Sequence, residues 1–372
     1  MKLGMFMQPV HDPSRNYTQA LEEDRQTILL ADELGFSEVW VGEHVSATAE
    51  PITAPLVFLA SLIEQTRNIK LGTGVFCLPL QHPAIIAGQA AMFDHMCKGR
   101  FQMGIGTGGL ASDVELFDVG GNTDRGDMVR ESIEMIRGIW AGEAPYRLEG
   151  KYWTTKIEDV SRLEFGVGEF PKPYQQPHPP IAISVMSPNS GSARLAGQNG
   201  WIPISGANLV QPRYIASHWA LYAEGCEQRG VPADPDIWRV SRSVVVAESD
   251  AEARDYVLNP EGALSFWFRY IVSSFRQRGA LAALAPADHP DPQSLTWEEA
   301  AESMVSWGSA ETVLEKLVAL REDVGHFGTL TITAHEWDEP AFCQRSMRML
   351  AQEVMPRLSK HAEQARKASR AA

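Results

Sequence analysis

The strongest constraint on this chain is a rhythm: short apolar runs of strand length alternate with longer amphipathic segments of helix length. Residues 2–7, 38–41, 69–75, 101–105, 181–185, 201–204, 238–246 and 329–333 read as strands. Helices are expected near 17–34, 53–65, 83–96, 123–140, 190–198, 212–229, 310–324 and 339–354, with Gly35 and Gly99 placed to stop the first and third. Eight strands alternating with helices is the count of a (β/α)8 TIM barrel, which needs about 250 residues. The same alternation also permits a doubly wound sheet, but the strand count favours the barrel. The 372 residues then form a single barrel domain over 1–358. Insertions at its C-terminal face fall at about 142–180, where FPKPYQQPHPP breaks the rhythm, and at about 255–306. Residues 359–372 read as a solvated, frayed tail.

Charge and composition narrow the function. Lys and Arg number 33 against 47 Asp and Glu, a net charge of −14, so nothing here attracts a phosphate backbone or anionic lipid. No window approaches eighteen consecutive apolar residues, and MKLGMFMQPV reads as a strand rather than a signal peptide, which places the protein in the cytoplasm. Cys77, Cys97, Cys226 and Cys343 are far apart and form no CxxC pair, so buried free thiols are expected, without a disulfide framework or a zinc site.

In a barrel, the residues just after each strand line the catalytic face. Those residues are Gln8 and His11; Glu43 and His44; Gly74 and Val75; residues 106–109; residues 187–191; Ser205; and His335 with Glu336. The set contains no metal triad. His44 beside Glu43 is suited to proton transfer, although a histidine there can also simply cap a loop. GIGTGG satisfies a dinucleotide pattern, but the next helix is expected only from about residue 123, so close backbone approach to a flat ligand or a tight loop explains its glycines better. Ser187, Asn189, Ser190 and Gly191 precede a helix and form either a phosphate cradle or an ordinary cap. Arg125 is placed either to neutralise that phosphate or to pair with an acid such as Glu131.

Taken together, these pieces resemble the bacterial luciferase-like flavin monooxygenases from Lys2 to about Leu358. The matching segments, in order, are LGMFMQP, FSEVWVGEH, IKLGTGVFCLPLQHP, KGRFQMGIGTGG with Arg125 beyond it, SPNSGSARLA, WGSAETVLEKL and EVMPRL. The resemblance implies a barrel that binds reduced FMN, with the ring against Gly74 and Val75, where such enzymes carry a non-proline cis peptide. By the same match, Arg125, Ser190 and Gly191 hold the phosphate, Ser187, Asn189, Gly106 and Thr107 line the cofactor, His44 is the catalytic histidine, and Glu43 lies near the flavin. It also implies a homodimer.

The implied chemistry joins reduced flavin and O2 in a 4a-hydroperoxide, which needs water excluded and a proton moved on time. His44 is the residue for that proton. The substrate implied is a small apolar molecule such as a terpenoid, cyclic ketone or aldehyde. GIGTGG lacks the reactive cysteine of the aldehyde-oxidising luciferases, which brings the chain closer to members acting on limonene and diketocamphane. The barrel uses every strand, so reduced FMN must come from a separate NAD(P)H:flavin reductase. Trp153, Phe165, Phe170, Tyr174, Phe266, Trp267, Phe268 and Tyr270 in the insertions either close over the site or pack in the core. Two other functions share these residues: a deazaflavin-dependent dehydrogenase on the same barrel, and a flavin-binding protein without turnover.

Overall fold

The computed structural model describes residues 1–206 and 209–371. Its main sheet is built from β1 (Lys2–Met7), β2 (Glu38–Val41), β3 (Lys70–Thr73), β4 (Phe101–Gly106), β5 (Ile181–Val185), β6 (Ile202–Ser205), β7 (Arg239–Val246) and β8 (Thr329–Ala334). These strands pair in chain order, and β8 returns to β1 in parallel, from Lys2 against Thr329 to Met7 against Ala334. The fold is the (β/α)8 barrel. Parallel strands covered on both faces read as near-continuous apolar runs, which is why segments such as EVWV are buried throughout.

Two compact units divide the chain, and their boundaries fall inside β2 and β5. The larger comprises Met1–Val39, Thr48–Pro51 and the chain from Ile183 onward. Strand side chains alternate between faces, so Arg239 and Ser241 on β7 share one face with Thr329 and Thr331 on β8. On that face the Arg239 guanidinium donates twice to Glu38, at 2.9 and 2.8 Å. Gly4 makes room for this pair, since a Cβ there would lie 2.9 Å from Glu38 Cγ. Higher up, the hydroxyls of Ser241 and Thr331 meet at 2.5 Å, and Ser243 Oγ lies 2.5 Å from His335 Nε2. Polar pairs thus climb one side of β7 toward its C-terminal end.

The expected insertion in this unit is core. Helix Ala263–Gln277 buries Leu264, Trp267 and Phe268 in a cluster with Leu281, Leu284, Leu295 and Met304. A short strand not expected from the sequence, Val305–Gly308, extends the sheet along β7. Helix Met355–Ala371 runs through the segment from Ser359, burying Leu358 and Ala362 at a four-residue spacing.

The smaller unit, Trp40–Ala47 with Ile52–Ala182, is organised around the fully buried Trp40. A Cβ at Gly72 would lie 2.5 Å from Trp40 Cε3, and one at Gly74 would lie 2.8 Å from Trp40 Cβ. A Cβ at Gly104 would lie 1.9 Å from the Thr73 carbonyl oxygen. Gly72, Gly74 and Gly104 therefore answer to Trp40 and to strand packing, and Gly108, at φ +73°, makes the turn. The Gly74–Val75 peptide is cis. Only Pro55–Ala60 of the helix expected at 53–65 forms, followed by turns. The excursion at 142–180 has structure of its own: strands Tyr146–Glu149 and Thr154–Ile157 form an antiparallel hairpin. Glu131, on helix Arg125–Ala141, anchors it by accepting the backbone N–H groups of Lys151, Tyr152 and Trp153 at 2.7, 2.8 and 2.8 Å.

Candidate active site

In the smaller unit, the chain leaves β2 through Gly42 and presents Glu43 and His44 in succession. Glu43 is buried; it accepts the Cys77 N–H at 3.0 Å and a Gln81 amide N–H at 2.6 Å. Burial raises its pKa to about 7, against the pull of those two hydrogen bonds. A carboxyl that exchanges its proton near neutrality is thus held next to the histidine. His44 keeps 12% of its side chain exposed, and its Nδ1 lies 3.5 Å from Asp113 Oδ2. Asp113, on helix Ala111–Leu116, accepts the N–H groups of Val45 at 3.0 Å and Ser46 at 2.8 Å. Burial alone would raise its pKa, but bonds from Ser46 and Val45 and the charge of His44 bring it below the usual carboxylate value. Asp113 was invisible to sequence reasoning: it belongs to a short helix after the glycine loop, 68 residues from Val45.

Arg125 opens helix Arg125–Ala141 and donates to the carbonyls of Gly108 at 3.0 Å and Thr107 at 3.5 Å. Its expected alternative partner, Glu131, is occupied by the hairpin backbone. Arg125 therefore ties the loop after Gly106 to the helix N-terminus, and it remains partly exposed. Val75 and Trp153 pack against the cluster of Cys77, Leu80, Val119 and Met128, so Trp153 belongs to the wall beside the cis peptide. The other aromatics of this excursion lie elsewhere. Phe165 is 79% exposed, Phe170 packs on Tyr146, and Tyr174 packs on His95.

In the larger unit, Ser187, Asn189, Ser190 and Gly191 form the turn into helix Gly191–Asn199. Asn189 takes a left-handed φ of +52°. Ser190 makes no side-chain cap bond, and a Cβ at Gly191 would meet nothing within 4 Å. Ser190 therefore does not supply the first N–H groups of this helix with the side-chain oxygen that a serine at this position usually gives. Trp267 stands edge-on to His335 at 5.3 Å, while Phe266 and Tyr270 pack on the core. His335 is held well below its ordinary value, at about 3, by burial.

The sequence suggested no metal triad, yet folding brings ligand atoms of His11, Glu23 and Glu336 within 4.8 Å of one another. Linear distance hid this cluster, since its members come from the loop after β1, the first helix and the loop after β8. It carries its own cations: Arg15 bonds both Glu23 and Glu336, and His11 Nε2 lies 3.1 Å from Asp24. Burial lowers the His11 pKa, but bonds and charges from Asp24 and Glu336 prevail and raise it to about 9. The unfolded ring releases its proton near 6.5 and the folded one near 9, so this stabilisation is complete below pH 6.5 and lost as pH rises through 9. Denaturant unfolding at pH 7.5 and pH 9 is expected to show a drop on the order of 1 kcal/mol per pH unit in the wild type. The drop should be absent in His11→Gln; an equal drop in that variant would assign the dependence to another group.

The parallel barrel thus carries a carboxyl and a histidine at the end of β2, and sequence comparison gives the class. The chain belongs to the luciferase-like monooxygenase family, which matches residues 1–326. It is 30% identical to 3,6-diketocamphane 1,6-monooxygenase of Pseudomonas putida over 96% of this chain and 98% of that one. The structure of the oxygenating constituent of that P. putida enzyme, a type II Baeyer-Villiger monooxygenase in complex with FMN, superposes with a TM-score of 0.86. It covers 96% of this chain and 98% of that chain. Limonene 1,2-monooxygenase of Rhodococcus erythropolis is 28% identical, covering 95% of this chain and 85% of its own. The family also reaches an F420-dependent hydroxymycolic acid dehydrogenase of Mycobacterium tuberculosis, 28% identical over 64% of this chain and 69% of its own. Among the described residues, no helix is long and apolar enough to cross a membrane.

Proposed function

We propose that this chain is the oxygenase of a two-component system. It takes reduced FMN from a separate NAD(P)H:flavin reductase and, with O2, oxygenates a small apolar molecule such as a terpenoid, cyclic ketone or aldehyde. The observation that carries this reading is the buried Glu43, titrating near neutrality, beside a partly exposed His44 set against Asp113. The relatives acting on diketocamphane and limonene support the substrate class.

The donor set fits FMN in each unit. In the larger unit, the uncapped turn of Ser187, Asn189, Ser190 and Gly191 offers hydroxyls and helix N–H groups suited to a phosphate. In the smaller unit, the partly exposed Arg125 supplies a cation, and Gly106, Thr107, Gly74 and Val75 line the strand ends. Bound reduced FMN supplies the electrons that activate O2. The protein's own part is acid–base work: His44 gives or takes a proton at the reacting oxygen, Asp113 fixes the ring, and Glu43 holds a second proton in reserve. Trp153 and its cluster keep water from the wall around Val75.

The test is to charge the protein anaerobically with reduced FMN, mix it with buffer holding isotopically labelled O2, and screen cyclic ketones and terpenes for labelled product. One labelled oxygen per product molecule is expected. Flavin reoxidation at the protein-free rate with no product from any substrate would overturn the reading in favour of a deazaflavin dehydrogenase.

A further inference from the structure

We infer that His218 is a positioning residue for the flavin phosphate, holding the Ser187 carbonyl so that the turn before helix Gly191–Asn199 keeps its N–H groups aimed at an anion. The inference rests on the proposed assignment of that turn to FMN. His218 lies in the middle of helix Pro212–Gln228 and is 1% exposed. Its Nε2 lies 2.8 Å from the Ser187 carbonyl oxygen and its Nδ1 lies 3.1 Å from Ser205 Oγ. Trp238 Nε1 lies 2.9 Å from the same hydroxyl.

With the His218 ring neutral, one assignment of hydrogens satisfies the whole chain. A carbonyl only accepts, so His218 Nε2 must carry its hydrogen and donate to Ser187. The neutral ring then accepts at Nδ1, so the Ser205 hydroxyl donates to it. The hydroxyl's oxygen is left to accept from Trp238, whose indole N–H only donates. Trp238, at 0% exposure, and the fully buried Ser205 form a fixed base for this relay. Burial also keeps the imidazole below its ordinary pKa, although the bond to Ser187 opposes this, which agrees with a neutral ring.

The same helix grips the turn a second time, since Ser217 Oγ accepts the Asn189 N–H at 3.4 Å while donating to the Tyr214 carbonyl at 2.6 Å. Below the turn the two helices are in backbone contact. A Cβ at Gly197 would lie 2.1 Å from the Tyr222 carbonyl oxygen, and one at Gly225 would lie 2.2 Å from that of Arg194. Helix Gly191–Asn199 is thus fixed along its length, and its free N-terminus is fixed through Ser187. A turn built only for stability would use Ser190 as a cap. Here the side chain makes no such bond, and His218 instead holds the Ser187 carbonyl, three residues earlier.

The test compares FMN with riboflavin, which lacks the phosphate, by parallel anaerobic titrations of the reduced flavins. Wild type is expected to prefer FMN by about ten-fold or more, the scale of hydrogen bonds to a charged group. His218→Phe should lose most of that preference with riboflavin affinity unchanged, and His218→Gln, which keeps an amide donor, should recover most of it. Ser205→Ala, which keeps the ring but removes the hydroxyl that orients it and accepts from Trp238, should show an intermediate loss and serves if the Phe variant does not fold. Equal loss for both flavins, or a preference undiminished in His218→Phe and Ser205→Ala, would overturn the role of His218. A wild type that binds both flavins equally would instead overturn the phosphate assignment, and the inference with it.

Discussion

Replacing His44 with alanine is expected to reduce product formation by about 10²–10⁴-fold, the usual contribution of a positioned general acid or base, with flavin affinity changed little. The separation of the two effects is the informative part. The imidazole is 12% exposed and sits on Asp113, a carboxylate already fixed by backbone N–H groups of Val45 and Ser46. Removing the ring therefore leaves that scaffold in place. Asp113→Asn should have a smaller effect on turnover, since the ring remains but loses its charged support. Glu43→Gln should shift the pH dependence instead, because it removes a carboxyl that titrates at about 7. Turnover in His44→Ala within about three-fold of wild type would remove His44 from the proposed chemistry, while loss of flavin binding would make it a structural residue.

What was legible in the sequence, and what was not, follows from the range of the interactions. The barrel strands show locally because both their faces are covered and burial is written into consecutive apolar or β-branched residues, although β7 also carries Arg239, Ser241 and Ser243. The hairpin at Tyr146–Glu149 and Thr154–Ile157 was hidden because YRLE and TTKI are mostly polar and depend on Glu131 for their anchor. The stretch from Ser359 reads as frayed because its composition is charged, and among its described side chains Ala362 alone is fully buried. At the site, Glu43 and His44 were legible because they follow a strand directly. Asp113 and His218 were not, since each acts on a residue tens of positions away, and neither lies in a strand-end position. Gly74 was noticed for a ligand and Gly104 for a ligand or a tight loop, but Trp40 and Thr73 already require both.

The bidentate pair of Arg239 and Glu38 gives the largest expected effect on stability. Glu38 is 3% exposed and Arg239 11%, and they are 201 residues apart in the chain, so the pair forms only when β7 and the start of β2 have come together. A buried ion pair adds little net stability relative to an apolar pair, but removing one partner leaves a charge without compensation in low dielectric. Glu38→Gln is therefore expected to destabilise the protein by about 3–5 kcal/mol, read from the midpoint of urea unfolding at neutral pH. The glutamine keeps nearly the same shape, so the Gly4 contact at Glu38 Cγ is preserved and the loss reports charge rather than packing. Replacing both partners, Glu38→Leu with Arg239→Met, should recover much of the loss, because the stranded guanidinium is gone. A Glu38→Gln loss below about 1 kcal/mol would put the pair in the range of solvent-screened surface bridges. The polar column above it, Ser241 with Thr331 and Ser243 with His335, would then stand independently of the ion pair at its base.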